Sequence, residues 1–345
     1  MEEQHKRRER YKGTHPRRFQ DKYKELDPEK YKDEQEKVRA RGQTPAGTHI
    51  PIMVDEILAV LNIQPGEIGY DATLGYGGHT AKMLEKLQGK GHLYATDVDP
   101  IEIEKTRARL AGMGYGEDIF TAYRVNFRDI DTIAPEGGFD FVLADLGVSS
   151  MQIDDPRRGF TFKQDGPLDL RLDPTAGVPA ARRLRELSRD EIIGMLIENS
   201  DEPHAERVAK AIVNTYRKGQ PIDTTKQLAA VVEDALSFLP AAERKDEVKK
   251  SCQRTFQALR IDVNSEFEVL YEFLEKLPAA MRSGGRAAIL TFHSGEDRLV
   301  KKAFKQLKRD GVFREISEDV IRPSKEECFR NARAHSTKLR WAVKA

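Results

Sequence analysis

The chain has 345 residues, of which 39% are hydrophobic and 33% charged, and 58 Lys/Arg against 57 Asp/Glu leave a net charge of +1. That length accommodates two or three domains, and the balanced charge excludes a uniformly basic, histone-like nucleic-acid binder. Two cysteines, Cys252 and Cys328, exclude a disulfide scaffold and a Cys-rich zinc module, and no apolar run approaches the ~18 residues of a membrane span.

Residues 1–45 carry 14 Lys/Arg and 10 Asp/Glu and almost no aliphatic side chain, too little to bury a core. They read as a solvated, partly helical extension or as an arm that docks on RNA phosphates. The opening MEEQHKRRER lacks the apolar centre of a secretory signal, so a cytoplasmic protein is expected. Gly42, Pro45 and Gly47 read as a linker, and the pattern becomes globular from His49.

Met53–Leu61 has helical apolar spacing. Strand and helix then alternate: strand Ile68–Ala72, helix His79–Leu87, strand His92–Thr96, helix Ile101–Leu110, and strands Phe120–Val125 and Phe139–Leu146. Such alternation predicts a parallel sheet with helices on both faces. Residues 154–252 hold no convincing strand. They open with the turn-rich DDPRRGFTFKQDGPLDLRLDP, continue with helical segments near 177–187, 189–198, 205–217 and 224–238, and close on AAERKDEVKK. Beyond them come a long helix over Phe256–Leu277, a buried strand Gly285–Phe292, and a helix opened by Ser294 with Asp297 as an N-cap pair. Two β-rich runs, Phe313–Ile321 and Lys338–Val343, predict an antiparallel pair at the sheet edge. The chain thus divides into the extension 1–45, a first sheet part 46–153, an inserted helical domain 154–252 and a second sheet part 253–345.

The stretch YDATLGYGGHTAKMLEKL (70–87) runs strand, glycine-rich turn, helix. Gly75, Gly77 and Gly78 let the backbone turn sharply and approach a ligand, and the helix N-terminus beyond offers free N–H groups. Asp97 follows at the end of the second strand, where a carboxylate suits the two hydroxyls of a ribose. Of Asp97 and Asp99, one is expected to serve only turn chemistry. Thr80 stands where a nicotinamide fingerprint needs glycine, and Asp71 is placed to take the ammonium of an amino-acid tail. Ribose and aminoacyl tail together indicate S-adenosylmethionine. Phe127 follows the third strand and reads either as a stacking partner for adenine or as a core residue.

Asp145 closes the fourth strand, where open α/β sheets bind ligands, and Gly147 beside it permits close approach. A carboxylate there accepts an N–H of an exocyclic amine and takes the proton as a methyl arrives, or else serves as a cofactor or cap contact. Cys252 and Cys328 lie away from the strand ends, which argues against a cysteine nucleophile. The eight histidines show no pair at metal spacing, so no catalytic metal is expected. His293, ending the last parallel strand, reads as a pocket wall or as a structural histidine. Arg157, Arg158, Arg171, Arg254, Arg260, Arg298, Lys301 and Lys302, interleaved with Phe160, Phe162 and Phe256, are the candidates for phosphate contact and base stacking; each charge alternatively faces solvent or an internal ion pair.

HIPIMVDEIL, DATLGYGGHT, DVDP, DLGVSSMQIDDPRRGFTFKQDGPLDLRLDP, TTKQLA, RTFQALRIDVNSE, GGRAAILTFHSGEDRLVK and ARAHSTKLR, spread over residues 49–345, together resemble the bacterial small-subunit rRNA cytosine-N4 methyltransferase family (RsmH, or MraW). The resemblance implies an α/β, Rossmann-like S-adenosylmethionine-dependent methyltransferase sheet with an inserted all-helical substrate-recognition domain. It implies S-adenosylmethionine as donor and a decoding-centre cytosine of 16S rRNA in the 30S subunit as target, with no membrane partner and a homodimer allowed. Family motifs place cofactor contacts on Gly77, Gly78, His79, Asp97, Phe127, Asp145 and Gln152; Asp71 and Gly75 join them from the loop chemistry. Asp145 and His293 are the catalytic candidates. Tyr76, Thr80 and Gly295 depart from the family pattern, as do Asp201–His204 and the stretch from Ser251 to Ala258. A paralogue acting on another RNA base and a non-catalytic ribosome-assembly factor are the competing readings.

Overall fold

The computed structural model describes residues 51–345; the extension 1–45, its linker and His49 lie outside the described residues. Seven strands form one sheet: β1 Ile68–Asp71, β2 His92–Thr96, β3 Phe120–Tyr123, β4 Phe139–Asp145, β5 Met281–Thr291, β6 Phe313–Ile316 and β7 Lys338–Lys344, in the order β3-β2-β1-β4-β5-β7-β6. β1 to β5 are mutually parallel, and β7 runs antiparallel to β5 and β6. The alternation of strand and helix therefore produces the expected α/β sheet with an antiparallel edge.

β4 (FDFVLAD) is buried throughout except at Asp145. Its two-residue period sends Phe141 and Leu143 to one face and Val142 and Ala144 to the other. The first face packs under α1 Val54–Leu61, α2 Gly78–Leu87 and α3 Pro100–Gly112, through Leu61, Leu84, Ile103 and Leu110. The second packs under α10 Glu266–Ala280 and α11 Ser294–Arg309, through Phe273, Leu277, Val300 and Phe304. Gly69 in β1 makes room for Phe141, because a Cβ there would lie 2.0 Å from the ring.

After β4 come a short α4 Ser150–Asp154 and an irregular run, then α5 Ala180–Glu186, α6 Arg189–Ser200, α7 Ala205–Arg217, α8 Thr225–Ala235 and α9 Ala241–Asn264. Among the described residues of this region, the only extended pairing is an isolated bridge, Pro167 to Thr224. These helices close a core of their own around Leu184, Ile192, Leu196, Val208, Ile212, Leu228 and Val232. A last short helix, α12 Lys325–Arg330, precedes β7.

Two expectations are corrected. The single helix over Phe256–Leu277 is two helices, because Ser265 takes a left-handed φ of 50° that breaks the ladder between α9 and α10. α9 also runs unbroken through position 252. The N-cap of α11 is His293, not Ser294: its Nδ1 accepts the Glu296 N–H at 3.4 Å, and Ser294 is the first helical residue. Among the described residues, no helix is long and apolar enough to cross a membrane.

Candidate active site

The carboxyl ends of β1, β2, β4 and β5 meet along one rim. Between β1 and α2 the chain turns with left-handed φ of 47° at Gly75 and 69° at Gly77. A Cβ at Gly77 would lie 2.7 Å from Thr106, so the loop packs closely on α3; at Gly75 it would meet only the Thr73 carbonyl, 3.9 Å away. The loop is thus closed on its inner side and open on its outer side. The Thr106 hydroxyl donates to Gly75 O at 2.6 Å, and the Gly75 N–H donates to Asp97 Oδ2 at 2.7 Å. Gly78 sits against Pro51. Gly77 caps α2 without a side chain, which leaves first-turn amides for a ligand. Tyr76 lies under the Arg109 guanidinium, 3.2 Å from the ring centroid.

The neighbouring carboxylates divide their work. Asp97 is half-buried, and its Oδ1 accepts the Asp99 N–H at 2.8 Å. Burial pushes its pKa up to about 6, against the opposing pull of its two amide donors. Each oxygen retains acceptor capacity for a hydroxyl. Asp99 is fully buried and caps α3 through Ile101 N and Glu102 N. Its other oxygen accepts Gln152 Nε2 at 2.8 Å and Arg158 Nη1 at 2.7 Å. Asp99 is therefore the turn residue of the pair. Gln152 reaches the site through Asp99 and through its capping box with Ser149.

Arg158 requires a correction. It is buried, and its second nitrogen donates to the carbonyls of Arg171 and Leu172 at 3.2 and 2.8 Å. Its charge anchors the turn-rich stretch to the sheet and is not presented to phosphate. Phe160 is likewise buried in the helical core, and Phe162 packs on Phe256 with centroids 5.4 Å apart. Neither aromatic stands free as a stacking platform.

Asp71 is 1% exposed and faces inward, accepting Thr73 N–H at 3.1 Å and the Thr80 hydroxyl at 2.6 Å. Burial raises its pKa beyond what those donors offset. The expected ammonium acceptor is thus placed inside, behind the loop. His79, the second residue of α2, donates from Nε2 to the Ile52 carbonyl at 2.8 Å, and its Nδ1 lies 3.4 Å from Asp145 Oδ2. Burial lowers the His79 pKa, but the hydrogen bond and charge of Asp145 outweigh it, so the net shift is upward. Asp145 donates its backbone N–H to Thr73 Oγ1 at 2.7 Å. Its Oδ1 is buried with no hydrogen-bond partner. Such an orphaned oxygen costs about 1–3 kcal/mol, a penalty that a ligand N–H would remove. Phe127 is half-buried and meets Phe273 edge-on, with centroids 5.2 Å apart.

His293 sits on the same rim, since Asp145 pairs in register with Leu290 of β5. Its Nε2 is 3.2 Å from Glu296 Oε1, without hydrogen-bond geometry. Glu296 is buried, which raises its pKa, but His293 and Arg260 reverse the sign and hold it below the ordinary range. Glu266, His293 and Glu296 bring three ligand-type atoms within 4.8 Å of one another, a grouping that sequence spacing does not reveal. Arg260 already binds Glu266 through two hydrogen bonds of 2.8 and 2.9 Å, so a cation is present in that cluster. Phe267 packs 5.7 Å from His293, in space left by Gly295, whose Cβ would lie 2.6 Å from the ring.

Most remaining basic candidates are paired. Arg157 is exposed but held by both oxygens of Asp155, at 3.0 and 2.8 Å. Arg171 is held by Asp169 at 2.8 and 2.7 Å, and Arg254 by Glu247 at 3.0 Å and Glu202 at 3.6 Å. Arg298, Lys301 and Lys302 are exposed, with Arg298 3.7 Å from Asp201. Cys252 is buried, which pushes its thiol up to about 11, away from nucleophile chemistry. The sequence reading missed Thr73, which braces Asp145, and the role of Asp99 as a hub. An Asp before a proline at a helix start signals an N-cap, so the cap was legible; its reach to Arg158 was not.

A family model described as the MraW methylase family matches residues 46–345. The chain is 65% identical over 345 residues to "Ribosomal RNA small subunit methyltransferase H 1" of Agathobacter rectalis, covering 100% of this chain and 99% of that one. It is 61% identical to "Ribosomal RNA small subunit methyltransferase H 2" of Alkaliphilus metalliredigens, with the same 100% and 99% coverage. It is 38% identical over 317 residues to "Ribosomal RNA small subunit methyltransferase H" of Thioalkalivibrio sulfidiphilus, covering 86% of this chain and 98% of that one.

Proposed function

This chain belongs to the MraW methylase family, and we propose that it transfers a methyl group from S-adenosylmethionine to N4 of a decoding-centre cytosine in 16S rRNA of the small ribosomal subunit. The observation that carries this reading is the unsatisfied, buried Oδ1 of Asp145 at the end of β4. A substrate amine N–H would supply the donor it lacks.

The residues fit the donor molecule. The outer side of Gly75 is open, α2 presents amides, and Asp97 stands next to the loop through its bond to Gly75. Asp97 would hold the ribose hydroxyls, and Phe127 would stack on the adenine. Gln152 keeps this wall in place through Asp99. When bound, the sulfonium supplies an electrophilic methyl and a good leaving group. The protein's own task is then to aim and activate the amine. Asp145 accepts one amine N–H, which returns lone-pair density to nitrogen, and takes the proton released as the N–C bond forms. His79 and Thr73 fix the orientation of Asp145, so positioning contributes to the rate. The helical region from 154 to 252, with its own core, is assigned to RNA recognition.

The test is incubation with labelled donor and 30S subunits lacking the modification, with the product mapped by mass spectrometry. One methyl on a cytosine N4 is expected, and Asp145→Asn should lower kcat by about 100-fold or more. A wild-type protein that methylates no rRNA cytosine amine overturns the reading and leaves the assembly-factor alternative.

A further inference from the structure

We propose that the solvent face of α11 is the track that holds the phosphate backbone of the RNA substrate; this rests on the RNA-methyltransferase reading. α11 is capped by His293, on the rim shared with Asp145, and runs from Ser294 to Arg309. Along it Arg298, Lys301, Lys302, Lys305, Lys308 and Arg309 are all exposed. At 1.5 Å per residue they cover about 17 Å, the reach of a few nucleotides. Among the described residues, Lys301, Lys302, Lys305 and Lys308 take part in no ion pair. They differ in this from Arg157, Arg158, Arg171, Arg254 and Arg260, each already neutralised by a carboxylate. An unpaired cation releases a counterion when it meets phosphate; a paired one must first break its bridge.

The neighbouring helix fixes the side on which the strand runs. α10 carries Glu268 and Glu275 exposed and, between them at one-turn spacing, Glu272 half-exposed and 3.8 Å from Arg128; Glu198, Phe267, Glu268, Tyr271, Glu272 and Arg298 line a cavity of about 470 Å³ where α6, α10 and α11 meet. Carboxylates there repel phosphate, so the backbone is kept to the lysine side of Arg298. A bilayer is the other polyanion a basic helix suits, but it also needs an apolar face. Val300 and Phe304 are buried against the sheet, and Leu307 packs on the same core.

The test compares wild type with K301Q/K302Q/K305Q/K308Q, measuring donor affinity, kcat and KM for unmodified 30S subunits at several salt concentrations. Expected are unchanged melting and donor affinity, kcat within twofold, and a KM at least tenfold higher. The slope of log affinity against log salt should flatten by about 3, four phosphate contacts at roughly 0.7–0.9 each. The arginine set K301R/K302R/K305R/K308R should restore KM, and E268Q/E272Q/E275Q should not raise it. An unchanged KM and salt slope in the glutamine variant, with active wild type, overturns the track while the proposed function stands. So does failure of the arginine set to rescue, or a loss of binding to phosphatidylglycerol vesicles with KM unchanged. Inactivity of wild type on every rRNA cytosine would instead bring down the reading beneath it.

Discussion

Two carboxylates on the rim carry opposite burdens. Asp145 has an oxygen that no protein group satisfies, and Asp97 has two amide donors yet an elevated pKa. Burial is the cause at Asp97, lifting it from 3.8 to about 6. The sign of the consequence follows from which form binds. Ribose hydroxyls donate to the ionised carboxylate, and the neutral form accumulates as pH falls through about 6. Donor affinity is therefore expected to hold above that pH and to weaken by about tenfold per unit below it. Asp97→Asn should bind weakly and without this pH dependence; calorimetric titration between pH 5 and 8 checks both. A raised acid pKa also means that ionising Asp97 opposes folding. Its stabilising contribution is complete below 3.8 and is lost as pH rises through about 6. The ligand-free Asn variant should accordingly be no less stable than wild type at neutral pH.

At the scale of elements, Asp99 joins the start of α3 to the capping box of α4 and the turn-rich stretch at Arg158, 53 and 59 residues further along the chain. Gly159 and Gly166 let that stretch fold back on itself, since a Cβ at either would fall within 2.3 Å of a proline carbonyl. Asp99→Ala removes a helix cap, worth about 0.5–2 kcal/mol, and strands a buried guanidinium, worth about 3–5 kcal/mol. A loss of at least about 3 kcal/mol in urea unfolding is expected, with part of it regained in Asp99→Ala/Arg158→Met. A loss below about 1 kcal/mol would show that the bridge does not anchor the segment. Strand and helix placement was legible because β4 and α2 carry their periods locally. The break at Ser265 was not, because apolar spacing continues from α9 into α10 and only the backbone reversal separates them.

For the whole molecule, the helices of 160–259 keep a hydrophobic core apart from the two cores on the sheet faces. Damage to one should therefore leave the chemistry of the other. Leu196→Ala, in the helical core, is expected to cost about 2–5 kcal/mol of stability. It should raise KM for 30S subunits while leaving donor affinity within twofold. A parallel fall in donor affinity would show that the two regions act as one energetic unit. The acidic α10 and basic α11 lie side by side and give a nearly neutral chain a polarised flank, which the sum of its charges conceals.

The amino-acid sequence by itself determined the alternating α/β order, the antiparallel edge, the glycine turn before α2 and the placing of Asp97 and Asp145 at strand ends. Each of these follows from local periodicity or from residues a few positions apart. Tertiary structure alone decided which charges are consumed and which are free. Arg158 meets Asp99 across 59 residues, and His79 meets Asp145 across the sheet. Whether a cation faces phosphate or a buried carboxylate depends on what the fold brings within about 3 Å of it, and no spacing along the chain encodes that distance.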